Sequence, residues 1–164
     1  MTLGLQLVSI LCLTSGLLVA GTVAVEDDTS QQAGSGCPEG WTRFGSRCFM
    51  FFHMSKPWTD AEHKCISVGG NLASVHSADE NEFLRDLIER VSGYRRHTWI
   101  GGYDAVRERT WMWTDGTSFD YKRWSIGEPN NLGTEHCIEM NWRGNYWNDS
   151  RCEHWKSFVC ARNM

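Results

Sequence analysis

Residues 128–152 read EPNNLGTEHCIEMNWRGNYWNDSRC, and this stretch decides how the whole chain is interpreted. Two cysteines, Cys137 and Cys152, lie close to carboxylate and amide side chains in a long loop and in short β-like segments. Calcium binds about six to eight oxygen atoms, which carboxylates, amide carbonyls and the backbone supply. The side chains of this type are Glu128, Asn130, Glu135, Asn148 and Asp149. On composition alone such residues are more often solvated turn residues, so the loop by itself does not establish a metal site.

The N-terminal segment, residues 1–24, is apolar and uncharged, ends in small residues and is followed by an acidic run at 26–28. These features predict a secretory signal peptide rather than a membrane anchor, because basic flanking residues are lacking. Residues 25–36 are polar and small, which predicts a flexible lead-in or propeptide. Residues 37–164 are then long enough for one compact domain. We therefore expect a secreted, extracellular protein without a membrane span.

The cysteine content supports the same compartment. Of the seven cysteines, Cys12 lies in the predicted signal peptide, which leaves an even number in the rest of the chain. An even set in a secreted protein predicts a disulfide framework, although the spacing alone leaves several pairings open. No pair has the C-x-x-C spacing of a zinc or redox site, so structural bridges are expected. The remaining cysteines are Cys37, Cys48, Cys65, Cys137, Cys152 and Cys160.

Two helices and a series of short strands are expected after the first cysteines. The first helix should run from about Pro57 to the Gly69-Gly70 pair, because proline is tolerated in a first turn and glycine favours a helix end. The second should begin at Ser77, which forms a capping box with Glu80. Its apolar face is Phe83, Leu84, Leu87, Ile88 and Val91. Short β-like segments separated by turns follow Gly93, so the pattern predicts an α+β fold.

Charge and motif content exclude two classes of function. The formal net charge of the chain is −4, which argues against nucleic-acid binding because that activity relies on neutralising phosphates. The six histidines show no H-E-x-x-H or other zinc spacing, and no serine or cysteine lies in a nucleophile motif. We therefore predict no catalytic residues and no enzyme activity.

Several motifs follow one another in the order typical of a known family. They are Cys37-Pro38-Glu39-Gly40-Trp41, Cys65, Trp99-Ile100-Gly101, Glu128-Pro129-Asn130, Cys137, Trp147-Asn148-Asp149, Cys152 and Cys160. In these motifs the chain resembles the C-type lectin-like family over residues 37–161, and small secreted fish lectins and type II antifreeze proteins in particular. The resemblance implies a C-type lectin-like fold with two helices, short antiparallel sheets and a long calcium-binding loop. It also implies three disulfides, Cys37–Cys48, Cys65–Cys160 and Cys137–Cys152.

The resemblance also assigns roles to the loop residues. In sugar-binding members, the matching positions hold one calcium ion that contacts the sugar. It therefore implies calcium ligation by Glu128, Asn130, Glu135, Asn148 and Asp149, and sugar contacts by the first four. The Glu-then-Asn order is the mannose-type arrangement, whereas the galactose type carries Gln and Asp. A ligand with vicinal equatorial hydroxyls, such as mannose, fucose or N-acetylglucosamine, is thus expected.

Two departures from the family pattern affect these expectations. Asn131 and His136 stand where the auxiliary calcium site of collectin-type lectins has acids, so we predict no second ion. The segment from Asn130 to Glu135 is one residue shorter than in those lectins, which leaves the sugar preference open. The only glycosylation sequon, Asn148-Asp149-Ser150, overlaps the expected ligands, and we predict that it carries no glycan.

The function favoured by the sequence is a secreted calcium-dependent lectin that acts in defence or venom and agglutinates cells. Alternatives on the same fold are a galactose-binding or calcium-independent lectin or toxin, and an antifreeze-like ice-binding protein. A single weak site gains useful avidity through multivalency. Because the expected bridges leave no spare cysteine, an agglutinating form is expected to be a noncovalent homo-oligomer.

Overall fold

The computed structural model of the protein describes residues 36–164. The predicted signal peptide and all but the last residue of the predicted lead-in lie outside the described residues. No helix within residues 36–164 is long and apolar enough to cross a membrane. The described elements are β1 (Thr42–Phe44), β2 (Arg47–Lys56), α1 (Trp58–Ser67), β3 (Asn71–Leu72), α2 (Ala78–Ser92), β4 (Thr98–Tyr103), β5 (Met112–Trp113), β6 (Glu135–Trp142), β7 (Tyr146–Arg151) and β8 (Lys156–Asn163).

The strands join into one sheet in the order β1-β2-β8-β4-β6-β7, with β3 paired to β8 and β5 paired to β4. The family resemblance implied short antiparallel sheets. The pairs are antiparallel except for β4 and β8, which run parallel at Thr98–Trp99 against Ser157–Phe158. The parallel pair arises because the C-terminal strand enters between the N-terminal hairpin and β4. This central position of β8 brings both ends of the domain into one sheet.

The three expected disulfides are confirmed, with Cα–Cα distances of 5.5 Å for Cys37–Cys48, 5.3 Å for Cys65–Cys160 and 5.3 Å for Cys137–Cys152. Cys65–Cys160 links α1 to the central strand β8 across 95 residues of sequence. Cys137–Cys152 links β6 to the turn after β7. A disulfide typically contributes about 2–4 kcal/mol, and more when the closed loop is long. The bridges therefore stabilise the sheet that carries the loop residues.

The two helices begin where the sequence predicts. Pro57 is the N-cap of α1, and the left-handed Gly69 follows its end. The Ser77 hydroxyl accepts a hydrogen bond from the Glu80 backbone N–H at 3.1 Å, as a capping box requires. The Glu80 carboxylate, however, accepts from the backbone N–H of His76 (2.8 Å) and not from that of Ser77. The prediction that Val91 belongs to the buried face is wrong, since 55% of this residue is exposed.

Buried aromatic side chains hold β7 in place. The Trp147 side chain is fully buried and packs edge-on against Trp113, with ring centroids 5.8 Å apart. Its indole N–H donates to the Asn81 side-chain oxygen at 2.8 Å, so the polar end of the ring is satisfied inside the core. Because Asn148 and Asp149 directly follow Trp147, this packing fixes the strand that presents them.

Candidate functional site

The structure brings the predicted ligands of the long loop to the paired strands β6 and β7. The Asp149 carboxylate is fully buried and accepts hydrogen bonds from the backbone N–H groups of Asn130 (3.1 Å) and Asn131 (2.7 Å). The Asn130 N–H also contacts a Glu128 carboxylate oxygen at 3.1 Å. The peptide bond between Glu128 and Pro129 is cis. Asp149 therefore ties the loop to the sheet, and Glu128 lies beside it.

The start of the loop is held by backbone hydrogen bonds to β7. Trp147 donates to the carbonyl of Arg123 (2.8 Å), and its own carbonyl accepts from Ser125 (2.9 Å). The Glu128 N–H then closes a turn onto the Ser125 carbonyl at 3.0 Å. The Asn130 side-chain oxygen accepts from the Leu132 N–H at 2.9 Å, which shapes the tip. The loop is thus a set of hydrogen-bonded turns anchored at both ends.

Two carboxyl groups of the site, those of Glu128 and Glu135, have raised pKa values. Burial raises the pKa of Glu128, and the nearby charges of Asp149 and Glu135 raise it further. Burial and the charge of Asp149 also raise the pKa of Glu135, against the weaker opposing effects of the Leu132 N–H and Arg151. Like charges that cannot separate disfavour ionisation, and a bound cation relieves this repulsion. The cluster thus has more negative charge than its surroundings balance.

The donor set suits calcium. Every side chain in it offers oxygen, and carboxylates together with amide carbonyls are the ligands that this hard cation prefers. The side-chain oxygen of Asn131, next to the cluster, is also buried without a hydrogen-bond partner within residues 36–164. A divalent cation would use these oxygen atoms as ligands and would offset the negative charge of the carboxylates.

The Asn148 side chain is hydrogen-bonded to Glu139, a buried acid that the sequence motifs did not identify. Only 6% of Asn148 is exposed, and its side-chain NH2 donates to Glu139 Oε1 at 2.9 Å. The other oxygen of Glu139 lies 3.1 Å from Lys156 Nζ and 3.2 Å from His97 Nδ1. Burial raises the pKa of Glu139, but the contact with His97, the charge of Lys156 and the hydrogen bond from Asn148 together lower it below the usual value. The sequence alone provided no signal for this role, because an acid between Ile138 and Met140 in a strand is expected on the opposite face from its neighbours.

The chain is similar to known proteins both in sequence and in fold. The sequence profile of the Lectin C-type domain matches residues 54–162. The chain belongs to the C-type lectin family. "Galactose-specific lectin nattectin" from Thalassophryne nattereri is 46% identical over 149 residues, which cover 90% of this chain and 94% of that protein. "Ladderlectin" from Oncorhynchus mykiss is 52% identical over 118 residues, which cover 71% of this chain and 62% of that protein.

Solved structures of related proteins have the same fold. The structure of herring type II antifreeze protein superposes with a TM-score of 0.73 and 40% identity, covering 78% of this chain and 99% of that chain. The C-type lectin-like fold expected from the sequence is therefore confirmed, together with its likeness to fish lectins and type II antifreeze proteins.

A second polar cluster in this C-type lectin surrounds His136, one of the two residues that the family resemblance assigned to the auxiliary calcium site. His136 Nδ1 is 3.0 Å from Asp104 Oδ1 and 3.7 Å from Glu108 Oε2. The three ligand atoms lie within 4.8 Å of one another, close enough to share an ion. The fully buried Asp104 also accepts from the Arg109 N–H at 2.7 Å, so hydrogen bonds already satisfy both of its oxygens. The absence of a second calcium ion remains a prediction.

One contact has the outline of a catalytic triad but lacks an available nucleophile. His76 Nε2 lies 3.1 Å from the Ser74 hydroxyl, and His76 Nδ1 lies 2.8 Å from Asp120 Oδ1. The Ser74 side chain is fully buried, donates to Asp115 at 2.5 Å and accepts from Arg47 at 2.7 Å. A nucleophilic serine must reach substrate and give its proton to the base. This hydroxyl is instead a fixed member of a structural network.

Proposed function

We propose that this C-type lectin is a secreted, calcium-dependent carbohydrate-binding protein and not an enzyme. The observation that carries the proposal is that the carboxylates of Glu128 and Asp149 contact the same Asn130 N–H, while burial and the charge of Asp149 raise the pKa values of both Glu128 and Glu135. One calcium ion would be held by Glu128, Asn130, Glu135, Asn148 and Asp149. The proposed signal peptide, residues 1–24, and the lead-in before residue 37 accord with a route to the extracellular space.

The side chains of the site supply the polar contacts that a sugar diol needs. When bound, calcium supplies a Lewis-acidic centre for two vicinal hydroxyls. Glu128 and Glu135 are acceptors for the hydroxyl protons, while the amides of Asn130 and Asn148 are donors to the hydroxyl oxygens. The Asn148 NH2 has two N–H groups, and Glu139 engages one of them. The other remains for a ligand.

The order of side chains in the motif supports a mannose-type preference. Glu128 precedes the cis-proline and Asn130 follows it, which is the mannose-type order of the family. Against this, a relative of this chain carries the name "Galactose-specific lectin nattectin". We therefore propose mannose, fucose or N-acetylglucosamine as ligand, with galactose as the competing sugar. Replacing the mannose-type residues Glu128 and Asn130 by the galactose-type residues distinguishes the two preferences.

The first prediction concerns this exchange. Wild-type protein on mannan resin should be eluted by mannose or EDTA, and E128Q/N130D should shift retention toward galactose resin. The reason is that the exchange reverses the order of acceptor and donor at the two positions. E82Q is the matched control, because Glu82 is an exposed acid on α2 that pairs with Arg85 away from the loop. Retention of wild-type protein on galactose resin only would replace mannose by galactose, and EDTA-insensitive retention would contradict the calcium requirement.

Ice binding is a second candidate, favoured by the likeness to herring type II antifreeze protein over 99% of that chain. Two exposed apolar side chains in the loop, Ile126 and Leu132, are 93% and 67% exposed and could lie against a solid surface. Ice-affinity partitioning separates the two functions. Enrichment in ice without retention on any sugar resin would favour this candidate.

We also propose that an agglutinating form is a noncovalent homo-oligomer. All six cysteines within residues 36–164 are paired within the chain, so once the proposed signal peptide with Cys12 is removed, a disulfide between copies would have to replace one of these bridges. Two or more weak sites on one particle raise avidity without new contacts. Sedimentation of the protein with and without reductant tests whether the oligomer depends on disulfides between copies.

A further inference from the structure

Glu139 is a buried carboxylate that lies directly across the β6–β7 pair from Asn148. The two residues are Cα partners in the register, and only 1% of Glu139 is exposed. One carboxylate oxygen accepts from the Asn148 NH2 at 2.9 Å. A buried acid in this position needs a positive charge nearby, because an unpaired charge in the interior is costly.

The partners on the far side of Glu139 determine what it can do toward Asn148. Lys156 Nζ lies 3.1 Å and His97 Nδ1 3.2 Å from Oε2. An adjacent ammonium favours the carboxylate over the carboxylic acid, and a carboxylate can only accept hydrogen bonds. The side of Asn148 that faces Glu139 must therefore be its NH2 group. The amide oxygen then points the opposite way.

We propose that Glu139 is a positioning residue for the calcium site, which orients the Asn148 amide so that its oxygen faces the ion. The inference rests on the proposed function, because it concerns a ligand of the proposed ion. Hydrogen-bond partners behind metal ligands commonly set ligand orientation, and their loss reduces metal affinity by about 10–100-fold. A reversed Asn148 amide would direct an NH2 group, which has no lone pair to offer, at the cation.

The test uses an exchange that keeps size and shape while changing what faces Asn148. In E139Q, Lys156 attracts the oxygen of the new amide, so the NH2 of that amide faces Asn148 and favours its reversal. We expect calcium affinity, measured calorimetrically on the disulfide-bonded mature protein, to fall by about tenfold. In E139Q/K156M the ammonium is gone, so the oxygen of the new amide is free to accept from Asn148. Affinity should recover most of that loss.

E62Q is the matched control. Glu62 is also a buried acid, 9% exposed, and it accepts from the Asn71 NH2 and the Leu72 N–H, both at 2.6 Å. E62Q should lower the melting temperature in EDTA and leave calcium affinity unchanged. A role of Glu139 in stability alone would make E139Q behave like E62Q, with affinity retained, and would overturn the inference. Equal losses of affinity in E139Q and E139Q/K156M would overturn it as well.

A measurement on the wild-type protein covers the case in which E139Q does not fold. In calcium-free protein, one side-chain N–H of Asn148 should show slow hydrogen exchange by NMR, because Glu139 holds it in the interior. Fast exchange of both N–H groups would overturn the inference. The wild-type calcium titration comes first: no binding overturns the proposed function itself, whereas binding that E139Q leaves intact overturns only the role of Glu139.

Discussion

Two acidic clusters of this lectin differ in how their charge is balanced. In the first, Arg47 pairs with Glu80 at 2.7 Å and lies 3.7 Å from Asp115. Burial raises the pKa of Asp115, but hydrogen bonds from Ser74 and Thr117, together with Arg47, bring it below its usual value. In the second, which we call the loop cluster (Glu128, Glu135 and Asp149), the pKa values of both glutamates are raised.

The difference supports the proposal that the Arg47 cluster is structural and that the loop cluster binds a cation. Around Arg47, the chain supplies both the acids and the positive charge, so the cluster is complete without a ligand. In the loop cluster burial and the charge of Asp149 raise the pKa values of Glu128 and Glu135, and the carboxylate of Asp149 already holds the loop backbone. Under the proposed function, a cation from solution would complete the loop cluster. Removing charge should therefore have opposite consequences in the two places.

The largest expected effect is on stability at the balanced cluster. R47M leaves the nearly buried Glu80 carboxylate without its cation, and removing one partner of a buried pair costs about 3–5 kcal/mol. The free energy of unfolding, measured by denaturant titration in EDTA, should fall by about 3 kcal/mol. Calcium affinity should not change. A loss of calcium affinity in folded R47M would show that the two clusters are not independent.

The next effect is on calcium affinity at the loop cluster. D149N removes one negative charge and one of the two acceptors that hold Asn130 and Asn131. Calorimetry should show calcium affinity reduced by roughly a hundredfold, since ligand charge sets the strength of calcium sites. E82Q, which removes an exposed acid, should bind calcium as the wild type does. Wild-type affinity in D149N would place the ion elsewhere.

The smallest expected effect is a pH dependence of the stabilisation by calcium. In the calcium-free protein, the pKa values of Glu128 and Glu135 are raised in the folded state, so the folded state binds more protons there than the unfolded state. Their contribution is therefore destabilising above the raised pKa values and is relieved as the pH falls through them. Protons compete with calcium for the same oxygens. The rise in melting temperature caused by a fixed subsaturating calcium concentration should shrink between about pH 7 and pH 5. A constant rise would contradict the assignment of these ligands.

The helix ends could be predicted from the sequence itself, whereas the overall fold and the disulfide pairing were predicted from the family resemblance. Pro57, Ser77 and Gly93 mark helix ends through their own backbone and side-chain chemistry. The disulfide pairing came from the family resemblance, since cysteine spacing alone leaves several pairings open. The single sheet with its parallel β4–β8 pair was not expected, because it depends on where the last strand enters.

The partners of Glu80 and the position of Glu139 were not predicted, because both depend on tertiary contacts. Glu80 was expected to close its own capping box, but Arg47, 33 residues earlier in the chain, holds one oxygen while the His76 N–H holds the other. Glu139 lies opposite Asn148 only because of the β6–β7 register, which shifts on both sides of the segment from Cys137 to Glu139. A strand register across such irregularities is set by tertiary packing, so composition and periodicity do not reveal it.

The most direct test of the calcium site is a calorimetric titration of the metal-stripped wild-type protein with calcium at neutral pH. We predict one calcium ion per chain, with an affinity that D149N reduces strongly and R47M leaves unchanged. The contradicting result is a wild-type protein that binds no calcium, or one in which D149N binds it as tightly as the wild type. In that case the loop cluster would be a feature of the fold and not the site of the ion.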